Sequence, residues 1–539
     1  MKIYKLSALA VLLVFAVAGY PNENVFQIAR TMAVETVHCT VSETRSCAAH
    51  SLLSWATPMP ESILAMSQAA PQKQTSSGDA QTTSWKQIPI PALHPFHPQE
   101  PKRIELPNGL VLFLQEDHEL PLVDGTLRIR GGSREEPAEK TGLMEIYSEV
   151  WRTGGTKTKT GDQLDDALEM KAARVEAAGG SDSTYLSWSS LKEDFDQVLP
   201  VVLDLLENPE FRQDKIDLAK QEAMSFISRR NDDVNQIAQR ESTKLAYGPN
   251  NPYARVAEYN TVSAITRDDL VNWHKRTVSP NNMIVGITGD FDAAAMERKI
   301  HDTLGKLPKG QPFPKTEIAF HDPAPGVYFI EKDDVNQSVI NMVELGTERR
   351  NPDYYALEVM NEAFGGGFSS RLFSNIRTKE GLAYSVGGGV GSAYDHPGIF
   401  RVAMGTKSGS TAAAIEALNK QIAELLKDGL KDEEIQKAKD SILNSFIFSF
   451  DSKEKVLGER MAYEFYGYPP DFLERYRSGI EKVTTADVNR VARKYIHPDK
   501  LAVLVVGNAK DFDRDLATFG KVIPIDIRIP PPKDRARSN

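Results

Sequence analysis

Two cysteines and two histidines lie close together near the start of the chain, at His38, Cys39, Cys47 and His50. Thiolates and imidazoles are the usual zinc ligands, and two cysteines can also form a disulfide in an oxidising compartment. The spacing of these four residues matches no standard set of zinc ligands. The sequence therefore predicts no zinc knuckle here, and it leaves the pairing of Cys39 with Cys47 open.

A second pair, His94 and His97, has the i, i+3 spacing that brings two side chains together on one helical turn. The surrounding prolines prevent a helix, so we interpret both residues as part of a linker. Six further histidines are scattered along the chain, none with a second histidine one turn away: His118, His274, His301, His321, His396 and His497. The paired imidazoles of a helical zinc site are therefore missing from the sequence.

Three consecutive glycines, Gly365 to Gly367, resemble the start of a phosphate-binding loop. Such a loop continues into Gly-Lys-Ser or Gly-Lys-Thr, and neither follows here. We interpret the glycines as a flexible turn before a helix.

The charge balance excludes one large class of partner. The 539 residues include 64 basic and 74 acidic side chains, a formal net charge of −10, with 41% hydrophobic residues. Such a composition is typical of an ordinary globular protein, and an acidic chain without a basic block lacks the charge that binds a phosphate backbone. Nucleic acid is therefore not expected as a partner.

The first 18 residues have the pattern of a signal peptide. Lys2 and Lys5 precede an apolar run from Leu6 to Val17, and Ala16-Val17-Ala18 is a small-x-small cleavage site. The sequence predicts export to the periplasm, with membrane attachment only if the signal stays uncleaved. Residues 19–101 are rich in Pro, Ser and Gln and are predicted to form a linker.

A long pattern occurs twice in the rest of the chain, at Val262–Gly289 and Ile480–Gly507. Both copies are typical of a capped helix, a proline turn and a buried strand that ends in glycine. The matching residues share one offset of 218: Thr266 and Thr484, Asp269 and Asp487, Pro280 and Pro498, Gly289 and Gly507. This agreement predicts two homologous domains produced by internal duplication.

Each half begins with a predicted pair of strands, at 109–114 and 125–130 in the first half and at 326–330 and 338–343 in the second. Helical periodicity follows, without the regular strand-helix-strand order of a parallel sheet. The predicted fold class is α+β, with an antiparallel-rich sheet packed against helices in each domain. The predicted bounds are 102–306 and 326–515, separated by a proline-rich linker at 307–325 and followed by a tail at 516–539.

Specific motifs support a family resemblance over roughly residues 102–515. The second half contains Phe364-Gly-Gly-Gly-Phe-Ser-Ser-Arg-Leu-Phe373 and Ile376-Arg-Thr-Lys-Glu-Gly-Leu-Ala-Tyr384, and the first opens with Leu106-Pro-Asn-Gly-Leu-Val-Leu. Together with the duplication, these motifs resemble the pitrilysin and insulinase family of inverted-motif zinc peptidases, or inverzincins. That family includes the mitochondrial processing peptidases.

The resemblance also shows what this chain lacks. Catalytic members carry His-x-x-Glu-His on a helix of the first half, where two histidines bind zinc and the glutamate activates water. The matching segment, Gly142–Gly155, keeps the apolar positions of a helix but places Glu145, Ser148 and Glu149 at the three motif positions. The resemblance thus implies a degenerate zinc site and no cofactor bound to this chain.

A distant glutamate completes the zinc site in the family, and Glu222 could be its remnant because it shares a helix face with Leu218, Ala219 and Phe226. Glu145, Glu149 and Glu222 could then form an oxygen-only site, which would suit Mg, Mn or Ca better than zinc. The favoured interpretation is a carboxylate cluster without metal, in which Glu222 is an ordinary helix residue.

The second half keeps the Arg-x-x-x-x-Gly-Leu-x-Tyr segment, in which the family uses the arginine and tyrosine to hold the substrate carbonyl and stabilise the oxyanion. Arg377 and Tyr384 occupy those positions. The alternative is structural: Arg377 caps a helix, and Tyr384 packs beside Val386–Gly389. Two-chain bacterial members divide zinc and the Arg/Tyr pair between subunits, and this chain resembles the second kind.

The function expected from this resemblance is that of a zinc-less subunit. It would form a heterodimer with a zinc-bearing homologue and hydrolyse peptides in a closed chamber. The zinc would belong to the partner, and Arg377 and Tyr384 would act in trans. The alternative is a non-enzymatic assembly or peptide-binding protein of the same fold, because active and inactive members share the scaffold.

Overall fold

A computed structural model describes residues 98–314 and 316–532. The predicted signal peptide, the residues around Cys39 and Cys47, the pair His94 and His97 and nearly all of the predicted linker lie outside these residues. In the described part of the chain, no helix is long and apolar enough to cross a membrane.

The described chain contains two β-sheets, one from each half. The six strands of the first are β1 (Lys102–Glu105), β2 (Val111–Glu116), β3 (Leu122–Arg130), β4 (Arg174–Gly179), β5 (Ser183–Leu191) and β6 (Met283–Gly289). The seven strands of the second are β7 (Gly326–Glu331), β8 (Gln337–Leu345), β9 (Thr347–Glu348), β10 (Ser385–Ala393), β11 (Pro397–Lys407), β12 (Ala502–Gly507) and β13 (Val522–Pro524).

Helices pack against both sheets. In the first half they are α1 (Leu143–Thr153), α2 (Gly161–Glu169), α3 (Phe195–Glu207), α4 (Gln213–Arg229), α5 (Val234–Tyr247), α6 (Tyr259–Ser263), α7 (Arg267–Thr277) and α8 (Ala293–Asp302). In the second half they are α9 (Tyr354–Asn361), α10 (Thr411–Asp428), α11 (Asp432–Phe446), α12 (Lys453–Tyr466), α13 (Phe472–Lys482) and α14 (Thr485–Tyr495).

Five consecutive strands have the same order in the two sheets, and the outermost strand, β1 or β13, differs. The first runs β1-β2-β6-β3-β5-β4, and the second runs β13-β7-β12-β8-β11-β10, with the short β9 at its edge. Most pairs are antiparallel, while β2 with β6, β7 with β12, β7 with β13 and β9 with β10 are parallel. This repeated mixed architecture confirms the predicted α+β class and the internal duplication.

The duplicated segment is alike in detail. Thr266 caps α7 and forms a capping box with Asp269, and Thr484 does the same for α14 with Asp487. Each helix is followed by a short 3-10 turn that begins at a proline and leads into a central strand. A hydroxyl that accepts from the backbone and a carboxylate that reaches back satisfy the free N–H groups of a helix start.

Each half contributes one helix to the other half's sheet. Helix α12 packs on the face of the first sheet that is opposite α1, where Leu457 and Met461 join a cluster with Phe113 and Ile284. Helix α5 packs in the same way on the second sheet, through Ile237 and its neighbours. Burial of these apolar side chains ties the two halves together.

Polar contacts add to this exchange. Arg103 donates two hydrogen bonds to Glu464 of α12, at 2.8 and 2.9 Å, and Lys453 forms an ion pair with Asp117 at 3.0 Å. The guanidinium of Arg134 contacts the Asp395 carboxylate at 2.8 Å. All three contacts cross from one half to the other and fix their register.

Two segments differ from the sequence interpretation. Strand β13, in the segment interpreted as a tail, forms the outer edge of the second sheet beside β7. Residues Glu362–Gly366 continue α9 as a π-helical turn, so Gly365 lies in a helical segment instead of a flexible turn. Its missing side chain has a packing reason, because a Cβ there would lie 2.4 Å from the carbonyl oxygen of Gly388 in β10.

Candidate functional site

Helix α1 is a regular helix whose apolar face is packed against the core. The predicted apolar residues Leu143, Ile146, Tyr147 and Val150 are all buried, which confirms the helix pattern. The Tyr147 ring stacks on Trp151 with centroids 5.5 Å apart, and the Trp151 indole donates to the carbonyl of Leu205 at 2.8 Å. These contacts fix the rotation of α1 about its own axis. They therefore also fix the direction in which its outer face points.

A buried histidine supports the same scaffold. The Nε2–H of His274 in α7 donates to the carbonyl of Leu206 at 2.8 Å, so Nδ1 accepts from the Tyr147 hydroxyl at 2.9 Å. Burial lowers the pKa of His274 to about 4, although the bond to Leu206 acts in the opposite direction. His274 is therefore neutral and structural, and it is too deeply placed to bind a metal on the outer face of α1.

The start of α1 is capped from a distance. Gly142 adopts a φ of +104°, and the Glu136 carboxylate accepts from the backbone N–H groups of Gly142 and Met144. Glu136 is 5% exposed, and burial raises its pKa to about 7. A carboxylate at the start of a helix accepts from free N–H groups and interacts favourably with the positive end of the helix dipole. Glu136 therefore holds the start of α1 in position.

The outer face of α1 carries the residues at the zinc-motif positions. Glu145 and Glu149 are exposed, and desolvation by neighbouring groups raises the pKa of each carboxyl. Ser148 is 8% exposed, and its hydroxyl donates to the backbone carbonyl of Glu145 at 3.1 Å. The serine is therefore occupied by its own helix and is not placed to activate water.

Two carboxylates from other elements act on Glu149 of α1. After burial, the negative charges of Glu222 in α4 and Glu176 in β4 are the next causes that raise the pKa of Glu149. Like charges at close range disfavour full ionisation. Glu176 and Glu222 therefore repel Glu149, and we call these three residues the carboxylate cluster.

Glu222 points away from the core. The buried face of α4 consists of Ile216, Ala219, Ala223 and Ile227, whereas Leu218 and Phe226 are 49% and 64% exposed. Glu222 lies one turn from both and is itself exposed. Its helix has apolar residues on two faces, and the face that carries Glu222 is the outer one.

This donor set does not fit zinc. Zinc sites use imidazole or thiolate ligands, and helix α1 presents neither at its motif positions. Within residues 98–314 and 316–532, no group of three His, Cys, Asp or Glu side chains is arranged to hold a metal ion. The structure therefore does not join Glu145, Glu149 and Glu222 into the oxygen-only site considered from the sequence.

The second candidate segment lies in the second half, beside β10. This sheet edge is equivalent to the β4 edge of the first half. Residues Phe373–Lys379 form a π-helical turn in which Ile376 is fully buried. The backbone then returns, as the N–H of Leu382 donates to the carbonyl of Ile376 at 3.1 Å. Gly381 makes this reversal possible with a φ of +67°.

Arg377 and Tyr384 stand at the two ends of this reversal. Arg377 is exposed, and its guanidinium lies over the Phe373 ring at 4.7 Å. Tyr384 is 50% exposed, and its backbone N–H donates to Gly405 of β11 at 2.8 Å. Neither the guanidinium nor the phenol hydroxyl makes a hydrogen bond or ion pair to any other described residue, so both donors are available.

This placement bears on the structural alternative. Arg377 makes no capping hydrogen bond to a helix end within the described residues, and half of the Tyr384 side chain faces solvent. The neighbouring glycines of β10 pack instead on the backbone of Gly365, which a Cβ at Gly387 would meet at 2.7 Å. The close approach of two backbones accounts for the glycines without a role for the Tyr384 ring.

Both candidate segments adjoin a strand with an open edge. Among the described strands, β4 pairs only with β5, and α1 packs beside it, where Arg152 donates to the Val175 carbonyl at 3.0 Å. Strand β10 begins directly after Tyr384. Its outer edge pairs with β9 at Ser392 and Ala393 and with the side chain of Asn361 at Val390, so its first residues have no strand partner on that side in the described part of the chain. An open strand edge offers unpaired N–H and C=O groups to an extended chain.

Sequence reasoning missed three contributors. Glu136 and His274 position α1 from other elements, and Glu176 completes the carboxylate cluster. Alternation along β4 places Glu176 and Arg174 on one face and was a usable signal. The contacts of Glu136 and His274 span separate elements, so no local pattern predicts them.

Two family models and several known proteins match this chain. The chain matches the family model described as Insulinase (Peptidase family M16) over residues 111–252, and the model described as Peptidase M16 inactive domain over residues 264–442. A solved structure described as a peptidase M16 inactive domain, from Pseudomonas fluorescens, matches with a TM-score of 0.69 and 23% identity. The match covers 76% of this chain and 98% of that one, and it concerns the fold.

Two bacterial relatives have similar lengths of match but different names. A Helicobacter pylori protein named "Non-peptidase homolog YmxG" is 24% identical over 74% of this chain and 91% of its own. A Bacillus subtilis protein named "Uncharacterized zinc protease YmxG" is 22% identical over 75% of this chain and 98% of its own. Helix α1 of this chain lacks the histidine pair of the zinc motif, so the chain is not an active zinc peptidase on its own.

Proposed function

Because the chain belongs to the insulinase family of M16 peptidases and has Glu145, Ser148 and Glu149 at the zinc-motif positions, we propose that it is the zinc-less subunit of a peptidase. It pairs with a zinc-bearing homologue, and the two together hydrolyse peptides in a closed chamber. The zinc belongs to the partner. We further propose that this pair works in the periplasm, after export of the chain by its signal peptide.

The observation that carries the proposal is the state of Arg377 and Tyr384. Both side chains are exposed and make no hydrogen bond to another described residue, although their backbones are fixed by Ile376 and Gly405. Donors that are held in place without a partner suit the developing negative charge of a peptide carbonyl under attack. We propose that they donate to that oxygen, while the partner's metal activates the water.

The open edges of β4 and β10 support a peptide as the substrate. An extended segment can add to such an edge through backbone hydrogen bonds, which do not depend on its sequence. Tyr384 directly precedes β10, so a segment paired with β10 would pass close to its hydroxyl. A folded protein offers few extended segments of this kind, which favours peptides and unfolded chains.

The test uses the full chain mixed with a zinc-bearing homologue from the same organism. We expect Arg377→Ala to lower kcat of the pair by about 100-fold, and Tyr384→Phe to lower it by about tenfold, because each change removes a donor to the oxyanion. Lys379→Ala is the matched control, since Lys379 is an exposed cation of the same π-helical turn and donates to Asn375. An unchanged kcat for Arg377→Ala would show that the residue has no catalytic role.

A second candidate function is peptide binding or assembly without hydrolysis. The motif positions of α1 favour it, because they lack the histidine pair of the family's zinc site but leave the neighbouring edge strand available. Co-purification separates the two candidates: a stable complex with the zinc-bearing homologue supports the peptidase, whereas purification alone or with unrelated proteins supports binding. Arg377→Ala should lower the rate of hydrolysis only if the chain forms the peptidase complex with that homologue.

A further inference from the structure

A cleft of about 540 Å³ lies between the first sheet and the exchanged helix α12. Its floor consists of residues from alternate positions of β3, β4, β5 and β6, and its wall consists of Glu454, Leu457, Gly458 and Met461 of α12. The volume is within the range of small-ligand sites, roughly 300–1,000 Å³. The cleft is separate from Arg377 and Tyr384, so the two proposals can fail independently.

The floor of the cleft contains charges without partners. Asp124 of β3 is half-buried, and its carboxylate makes no hydrogen bond or ion pair with any described residue. The same holds for Glu176 and Arg174 of β4 and for Glu454 of α12, all of which are exposed. Three carboxylates therefore face one available guanidinium, and the cleft has a surplus of negative charge.

The other lining guanidinium is already engaged. Arg128 donates to the Ser183 hydroxyl at 3.2 Å and to the Tyr466 hydroxyl at 3.0 Å, and it lies over the Phe465 ring at 3.8 Å. It therefore serves the junction of α12 with the sheet. It does not compensate the carboxylate of Asp124.

A buried amide on the strand next to the cleft also lacks partners. Gln115 is 1% exposed, and neither Nε2 nor Oε1 has a hydrogen-bond partner among the described residues. It lies opposite Thr288, which lines the cleft, and by strand alternation it points to the same face as Phe113, under the first turns of α12. An unpaired amide in this position costs free energy unless a further group satisfies it.

Packing does not require a glycine at position 458, in the middle of α12. A Cβ at this position would meet nothing within 4 Å, and glycine inside a helix costs about 1 kcal/mol relative to alanine. In the other half, α5 has the same length of 14 residues, and its sixth residue is Gln239 where α12 has Gly458. Gln239 accepts a hydrogen bond from Arg401, whereas the space beside Gly458 is open.

From these observations we propose that the cleft binds an alkyl cation, a guanidinium or ammonium group on an aliphatic stem. The cationic group contacts the carboxylates of Asp124 and Glu454, and the stem packs against Leu457 and Met461. Burial of the stem removes apolar surface from water, and the paired charges lie in a partly desolvated site. Two sources offer this chemistry: a free organic cation, and a lysine or arginine side chain of a peptide.

Calorimetric titration of the full chain tests the proposal with two probes. One is n-butylguanidinium, and the other is the blocked peptide Ac-Ala-Ala-Arg-Ala-Ala-amide; the same peptide with citrulline is the neutral control. We expect at least one cationic probe to bind and the citrulline peptide to bind about tenfold more weakly than the arginine peptide. Equal affinity of the two probes identifies a free cation as the ligand, and about tenfold tighter binding of the arginine peptide identifies a peptide side chain.

Two variants of the cleft complete the test. We expect Asp124→Asn and Gly458→Gln to weaken binding of the cation by about tenfold or more, by loss of the charge and by filling of the space. Glu433→Gln removes an exposed carboxylate of α11 outside the cleft and should change Kd by less than about twofold. Gly458→Gln also replaces a helix glycine, so its melting temperature should not fall, which separates lost binding from lost folding. Absence of binding by both cations, or unchanged Kd in both cleft variants, would overturn the proposal.

Discussion

The two halves of the molecule share a scaffold but differ in what lies under the exchanged helix. In the second half, α5 covers an apolar face in which Ile330, Val339 and Val506 pack on Ile237. In the first half, α12 covers a face that is polar along β3, β4 and β5 and keeps an open cleft. The same strand order is thus compatible with either lining, so the fold does not require the charges around Asp124.

The same contrast holds at the candidate sites. Helix α1 carries Glu149 of the carboxylate cluster and no histidine, whereas the equivalent edge of the second half keeps Arg377 and Tyr384 as available donors. The buried faces beneath both are well packed. A well-packed α1 therefore does not require zinc ligands on its outer face.

The largest expected difference concerns the core under each exchanged helix. Ile237→Ala should lower the free energy of unfolding by about 3 kcal/mol, because Ile237 is fully buried against a packed apolar face. Leu457→Ala should cost about 2 kcal/mol, because Leu457 borders a cleft that already exists. Urea denaturation of both variants measures the two values. A larger cost for Leu457→Ala would show that the first-half cleft is closed in solution.

The second largest expected difference between the halves is the loss of stability at low pH. His274 is the eighth residue of α7, and the eighth residue of α14 is Ala492, so only the first half has a titratable group there. The folded state keeps His274 neutral down to about pH 4, while the unfolded chain takes up a proton near pH 6.5. The unfolded state binds more protons in that window, so stability is full above about pH 6.5 and falls as the pH drops towards 4.

At pH 4.5 this loss should reach roughly 2 to 3 kcal/mol. The measurement compares the free energy of unfolding of the wild-type chain and His274→Gln at pH 7 and pH 4.5, because the carboxyl groups titrate in both. The wild-type chain should lose roughly 2 to 3 kcal/mol more than the variant. Identical losses would mean that His274 is protonated in the folded state.

The smallest effect should be the same in both halves. Thr266→Ala and Thr484→Ala each remove the hydroxyl that accepts from the backbone N–H of Asp269 or Asp487. Each should cost about 1 kcal/mol, as expected for loss of an N-cap. Thermal denaturation of the two variants provides the comparison, and costs that differ by more than about 1 kcal/mol would show that the duplicated helices are not equivalent in energy.

The sequence was sufficient for features with a local or repeated signal. The capping pairs at Thr266 and Thr484 and the apolar spacing of Leu143, Ile146 and Tyr147 predicted helices that the structure contains. These signals depend on neighbours within one or two turns, so they survive without tertiary information.

Other features depend on contacts that no local pattern encodes. The outward direction of Glu222 could not be chosen because α4 has apolar residues on both faces, Ala219 inside and Phe226 outside. The strand at Val522–Pro524 is too short for periodicity, and a proline at its end suggests a loop. Gly365 was interpreted as a turn because its reason, close approach to β10, involves residues more than 20 positions away.

The exchange of α5 and α12 also determines how the chain can fold during synthesis. Arg103 and its partner Glu464 are separated by 361 positions, so the first sheet is complete long before the helix that covers it has been made. Until then Phe113 and Ile284 stay uncovered, and the nascent first half carries an apolar strip that favours aggregation. The two halves therefore reach their final structure together, and a chain that ends between them would expose this strip permanently.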